Sequence, residues 1–283
     1  MNQVPPNLPP RHYHHEISPW FPLITLARNQ YLVRELVKRD VVGRYRGSVL
    51  GLLWSFCHPL VMLLVYTFVF GVVFRSRWSG MGQSQLELAM ILFTGLTVFT
   101  LFSELINRSP VLIVSNVNLV KKVVFPLEIL PYVALGTSLF HTLVSFLILL
   151  TVGLIANGTV VPTFFLFPVV LFPLLPLSLG ISWFLASLGT YLRDAAQAVA
   201  VITQVLLFMT PIFYPISAVP EEVRIVVRWN PLAFIVEQMR RVVVLGQVPD
   251  WTGLVLSLAF GVFVSWLGLI WFQKTRNGFA NAV

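Results

Sequence analysis

The chain has 283 residues, of which 57% are hydrophobic and 11% are charged. Soluble domains carry about 25% charged residues, so this composition excludes an ordinary water-soluble fold and indicates an integral membrane protein. The net charge of +8 resides on Lys and Arg residues beside apolar runs, as expected for contact with a membrane surface rather than with nucleic acid. Because a helix satisfies its own backbone polar groups in lipid, and the alternating pattern of a barrel is absent, we expect an all-α fold.

Residues 1–19 form a polar tail without the apolar core of a signal peptide, and we expect this tail to remain in the cytoplasm. Its three histidines, His12, His14 and His15, favour a solvated segment over a metal site. Cys57 is the only cysteine in the chain, which rules out an internal disulfide and a cysteine-based metal site.

The segment from residue 20 to 46 combines apolar residues at roughly helical spacing with several Arg, Lys and Glu residues. This pattern predicts an amphipathic helix that lies on the inner leaflet of the membrane. An ordinary basic flank, which only fixes the topology of the first span, is the alternative. The transmembrane domain then occupies residues 47–283.

Charge-free stretches predict six membrane-spanning helices, because about 20 apolar residues of helix cross the hydrocarbon core. The predicted spans are 50–74, 88–107, 129–156, 163–189, 195–214 and 252–273. Pro59 either kinks the first helix or marks its true start after a shallow entry. With both termini inside, 13 Lys and Arg residues face the cytoplasm and six face outward, which agrees with the positive-inside rule.

Two of the connections between spans carry helical patterns of their own. After the second span, Ser109 and Pro110 provide a start signal and Pro126 a stop signal for one short helix, which either docks into another protein or is a plain connector. Between the fifth and sixth spans, two short amphipathic helices are predicted at the outer surface. The first follows Pro220 and the second begins near Pro231.

Few groups in the sequence offer chemistry. No Gly is followed by Lys, so the phosphate-binding loop of Walker-type ATPases is absent and the chain is not an ATPase of that class by itself. Two ionisable residues fall inside predicted spans, where such residues are functional suspects. Glu104 is expected to pair with Arg108 one turn later, and His141 is expected to pack between helices rather than to relay protons. We predict no catalytic residue and no metal site.

Tyr66, Phe70 and Phe74 recur every four residues and fall on one face of the first span. Flat aromatic rings stack on the faces of sugars, so such a stripe suits a path for a glycan. Lipid contact or helix packing is the alternative interpretation, and it needs no ligand.

Five stretches of the sequence, taken in their order and spacing, resemble one family. They are RDVVGRYRGSVLGLLWSFCHPL, NLVKKVVFPLEILP, YLRD, TPIFYPISAVP and WNPLAFIVEQMRRVVVLG. They are similar to the membrane subunit of type 2 ABC exporters for polysaccharide, most closely the O-antigen permease, over residues 32–273. The resemblance implies a homodimer in the inner membrane, paired with two copies of a separate ABC ATPase chain that binds ATP and Mg.

The resemblance implies that this chain itself holds no cofactor and that its cargo is a polysaccharide linked to lipid pyrophosphate. Capsule polysaccharide and teichoic acid are alternative cargoes for the same fold. A membrane-embedded glycan polymerase or transferase is a third interpretation, and its acidic residues would be Glu221, Glu222 and Asp250.

The resemblance also assigns roles to particular residues. The residues implied to line the channel are Tyr66, Phe70, Phe74, Phe208, Phe213 and Tyr214. Residues 110–124 take the position of the coupling helix that receives the stroke of the ATPase. The coupling residues expected there and in the turn before the fifth span are Asn116, Asn118, Lys121, Lys122, Arg193 and Asp194. Residues 216–245 take the position of two periplasmic gate helices, with the charged residues Glu221, Glu222, Arg224, Glu237, Arg240 and Arg241.

The basic residues before the first span have two interpretations. They are Arg34, Lys38, Arg39, Arg44 and Arg46. They attract the pyrophosphate of the lipid-linked glycan, since guanidinium forks fit phosphate oxygens, or they only hold the N-terminal segment on the cytoplasmic side.

Overall fold

The computed structural model describes residues 21–73, 85–121 and 125–282. Every regular element in these residues is helical, so the predicted all-α class is confirmed. The histidine-containing tail, Phe74 and Lys122 lie outside the described residues, and the roles assigned to them stay predictions.

Thirteen α-helices follow one another in the described part of the chain. They are α1 (Phe21–Arg28), α2 (Gln30–Arg44), α3 (Trp54–Tyr66), α4 (Gln85–Arg108), α5 (Val117–Lys121), α6 (Leu130–Asn157), α7 (Phe167–Leu171), α8 (Leu174–Tyr191), α9 (Ala195–Met209), α10 (Glu221–Trp229), α11 (Pro231–Val243), α12 (Trp251–Thr275) and α13 (Phe279–Ala282). A π-helical stretch, Thr67–Val73, continues α3.

The boundaries of these helices follow from the local sequence. Asn29 interrupts the amphipathic helix predicted for residues 20–46, so this segment forms two helices, α1 and α2. Gly158 ends α6 in a left-handed conformation with a φ of 69°, which glycine adopts at little cost. The side chains of Asn230 and Asp250 accept backbone hydrogen bonds and cap the first turns of α11 and α12.

Five helical stretches in the described residues are long and apolar enough to cross a bilayer. They are Gly51–Phe70, Leu86–Val111, Leu127–Ile155, Pro162–Tyr191 and Trp251–Ala282. In the first of them, α3 begins at Trp54 and continues through Pro59. The proline therefore lies inside the helix and does not mark its start.

The apolar helix α9 is shorter than the other spans. It has 15 residues and is therefore about 22 Å long, less than the ~30 Å of a hydrocarbon core. The sequence pattern predicts a span that continues to residue 214, but the helix ends at Met209. Pro211 disfavours helical geometry at the residue before it, and Thr210 is extended with a ψ of 132°. The apolar residues after Thr210 consequently form a non-helical connection.

α8 and α12 pack against each other along much of their lengths. Their contact depends on Gly180 and Gly268, because a Cβ atom placed on Gly268 would overlap the backbone of Gly180. Small residues let helix backbones approach closely in membranes, where packing drives helix association. Among the five long stretches, the one that contains α4 is the most buried and the one that contains α3 is the least. α4 therefore forms the centre of the bundle.

We expect the substitution Gly268→Ala to destabilise the protein by about 1–3 kcal/mol, because the added methyl group displaces the backbone of α8. Gly153→Ala is the matched control, since a Cβ atom there would meet the side chain of Met90 at 3.4 Å, an ordinary contact. Thermal unfolding of the purified variants in detergent measures the difference. Equal melting temperatures for the two variants would contradict this account of the interface.

Candidate functional site

α4 connects two groups of candidate residues at opposite ends of the bundle. Near its C-terminal end, Arg108 pairs with Asp40 on α2. Near its N-terminal end, the carbonyl of Ile91 accepts a hydrogen bond from Arg240 on α11. Arg108 and Ile91 are 17 residues apart, about 25 Å along the helix. We call the first end the basic end, after the Lys and Arg residues of α2, and the second the α11 end.

At the basic end, Arg108 and Asp40 form a bidentate ion pair. Nη1 and Nη2 of Arg108 donate to the two carboxylate oxygens of Asp40 at 2.9 and 3.0 Å, and the hydroxyl of Thr137 donates to the same carboxylate at 2.8 Å. Burial raises the pKa of Asp40, but these hydrogen bonds outweigh it and hold the pKa below its ordinary value. Asp40 is therefore ionised at neutral pH, and it joins α2, α4 and α6.

Glu104 does not pair with Arg108, so the ion pair predicted between them is wrong. The carboxylate of Glu104 lies 2.5 Å from Nη1 of Arg44 and 3.2 Å from Nδ1 of His141. A pair one turn apart on a helix contributes only about 0.2–0.5 kcal/mol. Charged partners on neighbouring helices, including Asp40 for Arg108, therefore decide the pairing of both residues.

The interhelical contact predicted for His141 is present. Its Nδ1 faces Glu104, and its Nε2 lies 3.2 Å from the hydroxyl of Tyr45. A neutral imidazole that is protonated at Nδ1 satisfies both contacts. Burial raises the pKa of Tyr45, so its hydroxyl keeps its proton. We call Arg44, Tyr45, Glu104 and His141 the Glu104 cluster.

The five basic residues assigned to pyrophosphate fall into two groups. All five are exposed, four of them on α2 and Arg46 in the turn that follows it. Arg44 differs from the others because its guanidinium contacts the carboxylate of Glu104, so that it belongs to the Glu104 cluster. The other four residues, Arg34, Lys38, Arg39 and Arg46, suit contact with an anionic head group at the membrane surface.

The segment predicted to form one coupling helix is divided. It forms two 3₁₀ turns, Ser109–Val111 and Val114–Asn116, followed by the short helix α5. Leu112 and Ile113 are buried, and their packing against the bundle bends the segment. We call residues 109–121 the coupling segment.

The start of the coupling segment is held against α8. The hydroxyl of Ser109 donates to Ser182 at 2.6 Å. The backbone of Pro110 passes directly over Gly189, where any side chain would collide with it. The segment is therefore packed onto the bundle at its first residues.

The polar residues assigned to coupling are mostly accessible. Asn118 and Lys121 are exposed on α5, whereas Asn116 is half-buried and its amide donates to a backbone carbonyl of its own turn at 2.8 Å. Arg193 and Asp194 are exposed in the turn before α9. These side chains leave a polar surface at the basic end.

Five of the six residues assigned to the channel lie together, where the π-helical end of α3 meets the end of α9. The rings of Phe70 and Phe213 stack with centroids 5.8 Å apart, and Tyr66 and Phe208 extend the group at 6.5 and 6.2 Å. The hydroxyl of Tyr214 donates to the carbonyl of Phe208 at 2.9 Å. Phe208 is 63% exposed. We call these five residues the aromatic cluster.

Two short helices, α10 and α11, lie where the gate helices are predicted. Glu221 and Glu222 occupy the first turn of α10 and are exposed, and their charge suits the positive end of the helix dipole. Arg224 lies 3.6 Å from Glu221. Glu237 and Arg241 are half-buried on α11.

Arg240 differs from the other gate residues because it is buried, with 2% of its surface exposed. Its guanidinium donates to the carbonyls of Ile91, Pro211 and Ile212 at 3.2, 2.7 and 2.6 Å. Pro211 and Ile212 belong to the non-helical connection after α9, so Arg240 supplies donors that a continued helix would have supplied. Burial lowers the pKa of Arg240 to about 10, so it stays charged at neutral pH.

Residues 31–244, which run from the start of α2 to the end of α11, match the family model described as ABC-2 type transporter. The chain belongs to this family. The ABC-2 match contains the Glu104 cluster, the coupling segment and the aromatic cluster.

Relatives of this ABC-2 chain carry transport names. The O-antigen export system permease protein RfbA of Myxococcus xanthus is 28% identical over 267 residues, which cover 92% of this chain and 100% of the relative. A protein of the same name from Klebsiella pneumoniae is 25% identical over 262 residues, which cover 87% of this chain and 92% of the relative. The polysialic acid transport protein KpsM of Escherichia coli is 25% identical over 246 residues, which cover 87% of this chain and 93% of the relative. The ABC-2 chain is thus a multi-pass membrane component of a transporter rather than an enzyme.

We expect the substitution Arg240→Met to destabilise the ABC-2 chain by about 3 kcal/mol, because three backbone carbonyls lose a charged donor. Arg241→Met is the matched control, since Arg241 is half-buried and donates to the side chain of Gln247 rather than to backbone. Thermal unfolding in detergent measures both effects. A melting temperature for Arg240→Met as high as that of the control would show that the non-helical connection does not depend on this arginine.

Proposed function

We propose that this chain is the permease subunit of an ATP-driven exporter that moves a lipid-pyrophosphate-linked polysaccharide, an O-antigen, across the inner membrane. One observation carries the proposal. Relatives named O-antigen export system permease proteins align with nearly the whole chain, including 100% of the Myxococcus xanthus protein. In this proposal two copies of the chain pair with two copies of a separate ABC ATPase, and both termini face the cytoplasm. ATP and Mg bind to the ATPase.

The coupling segment supports transmission of force from the ATPase. It directly follows Arg108 at the end of α4, and its first residues are held on α8 by Ser109 and Pro110. A push on this segment therefore moves two spanning helices rather than a loose loop. The residues proposed to contact the ATPase are Asn116, Asn118, Lys121, Lys122, Arg193 and Asp194.

The aromatic cluster supports a path for the glycan. Aromatic rings offer apolar faces on which sugar rings stack, and Phe208 presents most of its surface outside the chain. The outward face of α9 is apolar and exposed at Val201, Ile202 and Val205, which suits a second copy of the chain across the channel. In this proposal α3 and α9 of both copies enclose the path.

The two ends of the bundle receive different tasks in this proposal. At the basic end, the lipid-linked substrate is attracted by four basic residues outside the Glu104 cluster, since guanidinium and ammonium groups bind phosphate oxygens: Arg34, Lys38, Arg39 and Arg46. At the other end, α10 and α11 gate the exit. Arg240 is the exception among the gate residues, because it acts as a buried anchor for the connection after α9.

Capsule polysaccharide is the second candidate cargo, and the relative named polysialic acid transport protein favours it. Teichoic acid is a further cargo of the same kind. The aromatic cluster is available to any of these glycans, because stacking on aromatic rings does not depend on the identity of the sugar.

A glycan polymerase or transferase is less well supported. The acidic residues available for it have other tasks, since Asp250 caps α12 by accepting the backbone N–H of Gly253 at 3.1 Å. Glu221 and Glu222 are solvent-exposed in the first turn of α10. A catalytic acid is instead expected to sit in a cleft that shifts its pKa.

We expect the chain, co-expressed with its ABC ATPase, to export lipid-linked O-antigen only when ATP is supplied. Lys121→Glu is expected to reduce this export, because it reverses a charge on the coupling segment. Lys274→Glu is the matched control, since Lys274 is also exposed but lies on α12. Uptake into inverted membrane vesicles, with O-antigen and capsule-type glycans offered separately, measures coupling and cargo together.

Each part of this proposal has an outcome that contradicts it. Nucleotide hydrolysis by the chain alone would contradict its role as a permease subunit. Preferred uptake of the capsule-type glycan would contradict O-antigen as the cargo and favour capsule polysaccharide. Equal uptake by the Lys121 and Lys274 variants would remove the coupling role of the segment.

We further expect Asp40→Asn to reduce export, because α2 loses its ion pair with the helix that leads into the coupling segment. The pair is about one-third exposed, so the cost in folding free energy is at most about 1 kcal/mol. Glu35→Gln is the matched control, since it removes a carboxylate from the same helix. The carboxylate of Glu35 is exposed and forms no ion pair with the described residues. The double variant Asp40→Arg, Arg108→Asp is expected to export better than either single variant. Undiminished export by Asp40→Asn would contradict this role.

A further inference from the structure

A slot of about 380 Å³ runs between α3, α4 and α6 and is bordered at the basic end by Arg44 and Tyr45, at the C-terminus of α2. On α4 it is lined by Phe93, Thr97, Thr100 and Glu104. These residues recur every three or four positions and form one stripe on the helix. The first and last are 11 residues apart, so the stripe extends about 16 Å. The slot is therefore elongated along α4 rather than round.

The slot changes from ionic to apolar along its length. The Glu104 cluster lines its basic end, and the hydroxyls of Thr97, Thr100 and Ser145 follow. Met62, Tyr66 and Phe93 line the part deeper in the bundle. A ligand that matches this order has a charged head group at one end and an apolar chain at the other, which is the chemistry of a lipid.

The charges at the basic end favour a head group that carries both signs. Arg44 has five N–H donors, its side chain is 32% exposed, and Glu104 is its one ion-pair partner in the described residues. Glu104 accepts from Arg44 and His141, and its two carboxylate oxygens have further lone pairs. A phosphate bound at Arg44 would be repelled by Glu104 unless an ammonium group accompanied it.

One wall of the slot can yield to a lipid that enters from the bilayer. α3 belongs to the least buried of the five long helical stretches, and Leu60, Val61 and Leu64 on this helix are exposed. Displacement of α3 therefore breaks few contacts, whereas displacement of the buried helix α4 would open the core.

We infer that the slot binds one zwitterionic phospholipid. The phosphate lies at Arg44, the ammonium lies at Glu104, and the acyl chain follows the α4 stripe toward Tyr66 and Phe93. This site shares Arg44 with the basic residues assigned from the sequence to the pyrophosphate of the cargo, and it does not depend on the proposed function. A purely structural role for the Glu104 cluster, as a clasp between α2, α4 and α6, requires no ligand and is the alternative that the experiment separates.

Native mass spectrometry of the full chain in detergent tests the inference, with phosphatidylethanolamine and phosphatidylglycerol of identical acyl chains as probes. We expect one phosphatidylethanolamine per chain, bound about tenfold more tightly than phosphatidylglycerol, as one extra charge-assisted hydrogen bond provides. Glu104→Gln is expected to abolish this preference, because the amide no longer pairs with the ammonium.

Filling the slot separates a lipid site from a clasp. Thr100→Trp places a large side chain on the stripe without removing a charge, and we expect it to weaken phosphatidylethanolamine binding about tenfold or more. Leu143→Trp is the matched control, since Leu143 is exposed on α6 and does not line the slot. If the Thr100→Trp protein aggregates, Ser145→Phe is the alternative variant that fills the slot.

Three results would overturn the inference. They are equal affinity of the unmodified chain for both phospholipids, phosphatidylethanolamine binding that survives in the slot-filling variants, and tighter binding of an isoprenoid pyrophosphate than of phosphatidylethanolamine. The last result would assign the slot to the cargo. The assay contains no ATP, ATPase or glycan, so its failure leaves the transport proposal standing, and failure of transport leaves the lipid site standing.

Discussion

A charge inside a lipid bilayer is tolerated only where protein groups replace the water that it has lost. In this chain, α4 supplies such groups at both of its ends. Glu104 and Arg108 receive partners from α2 and α6 at the basic end, and the carbonyl of Ile91 receives Arg240 from α11. α4 is thus the helix to which the others are fastened, which agrees with its burial. α3, whose described residues form no ion pair, is the helix that the bundle holds least firmly.

This arrangement has a mechanical consequence for an ABC-2 permease. The coupling segment follows α4 without an intervening linker, and Arg240 ties the opposite end of α4 to the connection after α9. α4, a continuous hydrogen-bonded helix, therefore links the surface proposed to meet the ATPase with the helices proposed to gate the exit. The aromatic cluster lies beside the second of these contacts, so a shift of α4 reaches the proposed glycan path through packed groups.

Much of the fold follows from the sequence because hydrophobic thickness is a one-dimensional property. Charge-free stretches place the long helices and exclude a soluble domain, and the order of short motifs identifies the family. The ion pairs are different. Asp40 and Arg108 are 68 positions apart, and their meeting depends on how α2 lies against α4 and α6. No local pattern contains that information, and the local rule for Glu104 selected the wrong partner.

The burial of Arg240 could have been predicted from the sequence. Arg240 follows Val236 by four residues and Leu232 by eight, so helical periodicity places it on the buried face of α11. Its neighbour Arg241 falls outside that face. The break at Asn29 carries a less specific signal, because asparagine favours helix caps but no glycine or proline accompanies it. The division of the coupling segment arises from the burial of Leu112 and Ile113, which only the assembled bundle determines.

The length of α9 affects the lipid around it. Its helix falls about 8 Å short of the hydrocarbon thickness, and hydrophobic mismatch of this kind thins the adjacent leaflet or drives the helix into an oligomer. Thinning of the leaflet brings water and head groups closer to the bilayer midplane next to α9. A hydrated polymer that travels along this helix then crosses a narrower dielectric barrier than one that travels beside any of the longer spans.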